Sequence, residues 1–157
     1  MSQAIEILLV EDSAEDAELT IRALRRHKIA NDIHVAEDGA DALDFLFCRG
    51  PHQGRTFSHP PKLVLLDLKL PRVSGIDVLR AIRDDPRTKA IPVVILTSSK
   101  EESDRIDGYK LAVNAYAQKP VDFKQFSETV RQIGMFWMLI NQPPPPKAFV
   151  ASLTQGA

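Results

Sequence analysis

The sequence predicts an α/β domain in which helices cover both faces of a parallel sheet. Short apolar runs alternate with stretches of helical period five times along the chain. Three of the runs are almost continuous in leucine and β-branched residues, which is typical of parallel strands buried on both faces. Strands that alternate with helices form right-handed crossovers, and a unit of this size predicts the flavodoxin-like, doubly wound (βα)5 fold with strand order 2-1-3-4-5.

Each predicted element rests on a local pattern. The predicted strands are residues 5–10, 32–35, 63–66, 92–96 and a weaker run at 115–118. A capping-box pattern, Asp12-Ser13-Ala14-Glu15, opens the first helix. Apolar residues at helical spacing mark the five helices in order: Leu19, Ile21, Ala23 and Leu24; Ala42, Leu43, Phe45 and Leu46; Ile76, Leu79 and Ile82; Ile106, Tyr109 and Val113; and Phe123, Phe126, Val130, Ile133 and Trp137.

Two segments fall outside this regular unit. Residues 47–62 contain five glycine and proline residues and no carboxylate, which predicts a long, locally basic connection that could serve as a contact surface. A run of four prolines at 143–146 predicts a polyproline II stretch. We therefore expect one domain over residues 1–140 and a proline-rich C-terminal tail over 141–157.

Composition narrows the classes of partner and compartment. The 157 residues include 20 Lys plus Arg and 21 Asp plus Glu, a net charge of −1, so no basic field would attract nucleic acid or anionic lipid. The one cysteine, Cys48, excludes an internal disulfide and fits a reducing compartment. The longest nonpolar run, 133–140, is far short of the ~20 residues that a membrane span needs. We expect a cytoplasmic protein with no nucleic-acid or membrane partner.

Polar residues follow four of the predicted strands. They are Glu11-Asp12, Asp67, Thr97-Ser98 and Lys119-Pro120. Ligands of open parallel sheets bind beyond the carboxyl ends of the strands, where these groups would meet. Because three crowded carboxylates repel one another, the cluster requires a cation, and an all-oxygen donor set favours Mg²⁺.

These motifs, together and in this order, resemble the receiver domain of two-component response regulators. The matching segments are Leu8-Leu9-Val10-Glu11-Asp12-Ser13, Leu66-Asp67-Leu68-Lys69-Leu70-Pro71 with Gly75 eight residues after the aspartate, Leu96-Thr97-Ser98, and Tyr116 three residues before Lys119-Pro120. The resemblance extends from about residue 5 to about residue 139. It implies that Asp67 accepts a phosphoryl group from the phosphohistidine of a sensor histidine kinase.

The resemblance also implies the ligands of the metal ion. Asp12 and Asp67 would bind Mg²⁺ directly together with the backbone carbonyl of Lys69, and Glu11 would hold a metal-bound water. The ammonium group of Lys119 would stabilise the phosphoryl oxygens.

Signal transmission is implied by two further residues. The Thr97 hydroxyl would bond the new phosphoryl group, and Tyr116 would turn inward. This switch would change the face formed by helix 4, strand 5 and helix 5.

A narrower resemblance is to single-domain regulators paired with bacterial phytochrome histidine kinases. The long loop before strand 3, with Gly50 and Pro60-Pro61, carries it, as does a fifth helix that ends in Phe136-Trp137 before prolines. This resemblance implies that the kinase partner is a bacteriophytochrome.

Several of these residues also have a simpler structural interpretation. Glu11 and Asp12 could be helix caps, and Lys119 a solvated lysine, although neither explains a third carboxylate at the same edge. The spacing of Cys48, His52 and His59 fits no zinc template, so they are expected to be solvated loop residues.

The leading interpretation is a stand-alone phosphorylation-activated switch that acts by binding and is not an enzyme. A phosphate shuttle in a multistep phosphorelay would use the same site. An aspartate-nucleophile phosphatase is disfavoured because it needs a second aspartate where the chain has Lys69.

Self-association is expected because residues 133–140 are apolar all round. Either a second copy covers them through helices 4 and 5, giving a homodimer, or the tail folds back over them.

Overall fold

The computed structural model describes residues 7–28, 32–97, 110, 113–119 and 123–135. Its centre is a five-stranded parallel sheet with strand order β2-β1-β3-β4-β5, so the predicted fold and strand order are confirmed. The strands are β1 Ile7–Val10, β2 Ile33–Ala36, β3 Leu63–Leu66, β4 Val93–Thr97 and β5 Ala115–Gln118. The helices are α1 Ala14–Arg26, α2 Gly39–Leu46, a 3-10 helix Gly50–His52, α3 Gly75–Asp84 and the C-terminal helix Phe123–Gly134.

Short polar residues start the first three α-helices. Ser13, Asp38 and Ser74 are the N-caps of α1, α2 and α3, and each side-chain oxygen accepts a hydrogen bond from the backbone N–H three residues later. These bonds satisfy donors that the first helical turn leaves without a partner. The caps fix where each helix begins, immediately beyond the C-terminal edge of the sheet in the case of α1.

Alternation along the strands divides the core into two layers. Leu8 and Leu66 face α2 and α3, where Phe45 and Leu79 complete a buried cluster. On the opposite face Ile7 and Leu65 belong to a second cluster, whose helical members include Leu24 of α1 with Phe126 and Val130 of the C-terminal helix. Both β1 and β3 are buried at every position, as their nearly continuous apolar sequence predicts.

Some predicted features lie outside the described residues. They are residues 1–6, Ile106 and Tyr109 of the predicted fourth helix, Trp137 and the tail 141–157. Val113, expected as part of that helix, is not helical and packs into the core ahead of β5. The division into a domain over 1–140 and a tail therefore stays a prediction. None of the described helices has the length and apolarity required to cross a membrane.

The connection 47–62 is packed against α2 and is more ordered than its composition predicts. Its 3-10 helix includes His52, which is half-buried, and the Arg55 guanidinium lies 3.7 Å from the centre of the Phe45 ring. Arg87 lies 4.1 Å from the Phe57 ring. Cation–π contacts of this kind give a glycine- and proline-rich segment a defined position.

Candidate functional site

Strand register brings the predicted polar residues to one edge of the sheet. Val10 of β1 pairs with Leu66 of β3, so Glu11 and Asp67 leave the sheet at the same level. The Asp67 backbone N–H donates to the Val10 carbonyl at 3.1 Å. On the other side, the Lys119 N–H donates to the Thr97 carbonyl at 2.7 Å. The parallel arrangement thus places two acids, a hydroxyl residue and a lysine side by side.

The Asp67 side chain is held by three donors. Its Oδ1 accepts hydrogen bonds from the Thr97 hydroxyl at 2.8 Å and from the Lys69 backbone N–H at 3.2 Å. Its Oδ2 accepts from Lys119 Nζ at 3.0 Å. Burial works against ionisation, but the charge of Lys119 and the Thr97 hydrogen bond prevail and lower the pKa of Asp67. Asp67 is therefore an ionised, oriented carboxylate at neutral pH. It lies at the C-terminal edge of the sheet and is 7% exposed.

The ammonium group of Lys119 joins three carboxylates. It hydrogen-bonds Glu11, and it lies 3.0 Å from Asp67 Oδ2 and 3.1 Å from Asp16 Oδ2. Burial alone would lower the pKa of Lys119, but the bonds to Glu11 and Asp67 outweigh burial and raise it. The lysine is a buried positive charge beside Asp67 and is not the solvated surface residue of the alternative interpretation.

Three carboxylates form an oxygen-donor set. Each of Glu11, Asp12 and Asp67 has an oxygen within 4.8 Å of the others, and Glu11 and Asp67 are buried while Asp12 is exposed. Burial raises the pKa of Glu11 from 4.5 to about 7, although Lys119 opposes the shift and the charge of Asp67 adds to it. A proton or a metal cation relieves this repulsion. Hard divalent cations prefer such all-oxygen ligands, so the residues present fit Mg²⁺.

The backbone of α3 presses directly against the backbone of Asp67. The Gly75 N–H donates to the Leu68 carbonyl at 2.8 Å. A Cβ added at Gly75 would lie 2.2 Å from the Asp67 carbonyl oxygen and 2.5 Å from the Leu68 Cα. Glycine at this position therefore lets the start of α3 approach closely enough to fix the chain that carries Asp67.

The structure brings together most of the predicted site and adds one residue. Glu11, Asp12, Asp67, Thr97 and Lys119 meet as expected. Ser98, Pro120 and the side chain of Tyr116 lie outside the described residues, and the Lys69 carbonyl stays a prediction as a metal ligand.

Asp16 was not predicted as part of this site. It lies in the first turn of α1, three residues after the N-cap Ser13. No local pattern in the sequence indicates its role, which depends on where Lys119 reaches.

Comparison with known sequences gives a family for most of the chain. Residues 7–131 match the family model described as the response regulator receiver domain. The probable methanogenesis regulatory protein FilR2 of Methanothrix harundinacea is 41% identical over 140 residues, which are 89% of this chain and 88% of FilR2. Response regulator Rcp1 of Synechocystis is 40% identical over 132 residues, covering 84% of this chain and 88% of Rcp1.

Solved structures agree with this relationship. The Mn²⁺-bound form of Rcp1 has a TM-score of 0.83 at 37% identity, over 90% of this chain and 99% of that one. The phosphorylated cyanobacterial phytochrome response regulator RcpA has a TM-score of 0.84 at 34% identity, over 90% and 99%. The bacteriophytochrome response regulator RtBRR has a TM-score of 0.71 at 46% identity, over 98% and 93%. The chain belongs to the response regulator receiver domain family and is related to phytochrome-associated regulators.

Proposed function

We propose that Asp67 is the phosphoacceptor of a response regulator and receives its phosphoryl group from the phosphohistidine of a sensor histidine kinase. The observation that carries the proposal is the Asp67 carboxylate itself, ionised and held between Thr97 and Lys119. A carboxylate that merely stabilised the fold would not need a hydroxyl and an ammonium group at the edge where ligands of such sheets bind.

The chemistry follows from these positions. An Asp67 oxygen attacks phosphorus, the P–N bond of the phosphohistidine breaks, and its electron pair returns to the imidazole of the kinase. Thr97 donates a hydrogen bond to one Asp67 oxygen and Lys119 to the other. Small movements would therefore let both groups hydrogen-bond the transferred phosphoryl oxygens. Phosphoryl transfer depends chiefly on such positioning and charge stabilisation.

Asp12 and Asp67, with the Lys69 carbonyl, are proposed to hold Mg²⁺, and Glu11 to hold one of its waters. When bound, the ion neutralises charge that builds up on the phosphoryl group. Three carboxylates with oxygens within 4.8 Å of one another support this assignment. The Mn²⁺-bound structure of the relative Rcp1 supports a divalent cation.

Acetyl phosphate provides a kinase-independent test. With Mg²⁺, the chain should gain one phosphoryl group by intact-mass spectrometry, and chelation with EDTA should prevent the gain. The matched variant Asp67→Asn keeps the size and hydrogen-bonding ability of the side chain but removes the nucleophilic charge, so it should gain none. The same adduct in Asp67→Asn would refute the assignment of Asp67.

Thr97 and Tyr116 are proposed to transmit the phosphorylated state to the face formed by the predicted fourth helix, β5 and the C-terminal helix. Thr97→Ala removes one hydrogen bond to Asp67, worth ~1 kcal/mol, and leaves Lys119 in place. Phosphorylation should therefore continue while the conformational response weakens. Amide exchange across residues 98–112, measured before and after acetyl phosphate, tests this. An exchange response equal to that of the wild-type chain would exclude Thr97 from the coupling.

The partner kinase is proposed to be a bacterial phytochrome. Two relatives, RcpA and RtBRR, carry that association in their names, and the first shares 34% and the second 46% of its sequence with this chain. The chain would act in the cytoplasm by binding a partner protein and not as an enzyme, with no contact to nucleic acid.

A homodimer through the predicted fourth helix and the C-terminal helix is the proposed assembly. Large apolar residues such as Phe136, Trp137 and Met138 typically dominate interfaces, and a two-fold dimer is the commonest self-association. Sedimentation at micromolar concentration should show dimers for the intact chain and weaker association for Trp137→Ala and for a truncation after Leu139. Monomers for all three chains, with and without a phosphoryl analogue, would contradict the dimer.

A further inference from the structure

A second cluster of metal-binding side chains lies away from the Asp67 site, at the edge strand of the sheet. His34 is on β2, Asp41 is in the first turn of α2, and His52 ends the 3-10 helix of the connection 47–62. One ligand atom from each residue lies within 4.8 Å of the others. Three elements that are separate in the sequence therefore direct two imidazoles and a carboxylate to one point.

The separations are close to those of a four-coordinate metal site. His52 Nε2 lies 3.0 Å from Asp41 Oδ1, and His34 Nε2 lies 3.8 Å from Asp41 Oδ2. Ligand bonds of ~2.0–2.2 Å in a tetrahedral arrangement place ligand atoms ~3.3–3.6 Å apart. One distance is shorter and the other longer than that range, and they end on different oxygens of Asp41, so the side chains would have to shift to bind one ion.

His34 shows why the cluster points to a ligand and not to simple packing. Among the described residues, its Nε2 atom is buried and has no hydrogen-bond partner. The ring is fixed by stacking on Phe45, with the ring centres 4.4 Å apart and the planes inclined by 10°. A buried imidazole nitrogen without a hydrogen bond costs free energy that a metal bond would recover.

We propose that His34, Asp41 and His52 bind Zn²⁺ or a similar transition-metal ion, which fastens the connection 47–62 to the edge of the sheet. Two imidazoles favour such ions over Mg²⁺, which prefers oxygen donors. Three protein ligands leave the fourth position of a tetrahedral ion to water.

The remaining candidates of the loop do not join this site. Cys48 Sγ lies 3.9 Å from Arg55 Nη1, and burial raises the pKa of the Cys48 thiol, which disfavours the thiolate that metals bind. His59 is exposed and its Nδ1 lies 3.1 Å from the hydroxyls of Thr56 and Ser58. His52 thus belongs to a cluster with His34 and Asp41, and the sequence-based expectation that it is a solvated loop residue is wrong.

Calorimetric titration of the untagged, full-length chain with Zn²⁺ tests the proposal. Excess Mg²⁺ in the buffer competes with Zn²⁺ for the carboxylate site around Asp67. The chain should then bind one Zn²⁺, and the ion should raise the melting temperature because it binds the folded state. No Zn²⁺ binding, or binding without a rise in melting temperature, would overturn the proposal.

Matched variants locate the site. Asp41→Asn, His34→Gln and His52→Gln should each weaken Zn²⁺ binding by about 100-fold or more, since each removes a direct ligand. His59→Gln, a histidine of the same loop outside the cluster, should bind as the wild-type chain does. Asp41→Asn is nearly isosteric, and the circular dichroism spectrum of each variant shows whether it is folded. Unchanged affinity in the three cluster variants, or equal loss in His59→Gln, would refute the site.

Discussion

Lys119→Met is expected to slow the phosphorylation of Asp67 by roughly 100-fold, because it removes a preorganised charge from the transferred phosphoryl group. The lysine is 9% exposed and its ammonium group lies 3.0 Å from Asp67 Oδ2. In the variant, a cation from the solvent would not take the same buried position. The methionine side chain keeps most of the length and the apolar volume of the lysine side chain. Lys62→Met, at an exposed lysine just before β3, is the matched control and should leave the rate unchanged.

Lys119→Met should also change how the free energy of unfolding depends on pH. Since the folded state raises the pKa of Glu11 from 4.5 to about 7, it binds more protons there than the unfolded state does. The free energy of unfolding of the metal-free protein therefore decreases as the pH rises from about 4.5 to about 7. The low pKa of Asp67 acts in the opposite sense, but its contribution is lost only in acid, as the pH falls below its usual value of 3.8.

Lys119 opposes the shift at Glu11, so Lys119→Met should raise the pKa of Glu11 further and extend the loss of stability above pH 7. Urea unfolding in EDTA at a series of pH values measures this, with Lys62→Met as the control. A wild-type rate of phosphorylation together with an unchanged pH profile would contradict the role given to Lys119.

Gly75→Ala is expected to lower the free energy of unfolding by about 2–3 kcal/mol, because the added methyl group meets backbone atoms that cannot rotate away. The nearest of these atoms are the Asp67 carbonyl oxygen at 2.2 Å and the Leu68 Cα at 2.5 Å. Relief requires the start of α3 to move away from the segment that carries Asp67. Phosphorylation should therefore slow together with the loss of stability.

Gly54→Ala is the matched control, since nothing lies within 4 Å of a Cβ added there. For a domain of this size a loss of 2–3 kcal/mol lowers the melting temperature by roughly 5–10 °C. Calorimetry of the two variants makes the comparison. Equal melting temperatures for Gly75→Ala and the wild-type chain would show that α3 does not press on Asp67 as described.

The sheet and most of the site could be predicted from the sequence because they depend on local patterns. Continuous apolar runs identify β1 and β3 as buried strands, and parallel pairing then brings the residues after each strand to one edge. Glu11, Asp67, Thr97 and Lys119 follow from that rule without any knowledge of side-chain geometry. The resemblance to receiver domains supplied the role of each residue.

The rest depended on contacts between segments that are distant in the sequence. Asp16 contributes because Lys119, 103 residues later, reaches it. Gly75 is visible in the sequence as a spacing, but its close approach to Asp67 is a fact of packing. His34 and His52 meet because a connection rich in glycine and proline forms a 3-10 helix against α2, and neither propensity nor periodicity predicts such an arrangement.

Transfer from a sensor histidine kinase is the most direct measurement of the central claim. A bacteriophytochrome kinase carrying radioactive phosphate on its histidine would be mixed, in Mg²⁺, with the wild-type chain or with Asp67→Asn. Label should move from the kinase to the wild-type chain and map to the peptide that contains Asp67, and Asp67→Asn should leave it on the kinase. Label that reaches Asp67→Asn equally well, or that maps to another residue of the wild-type chain, would contradict the assignment of Asp67 as the phosphoacceptor.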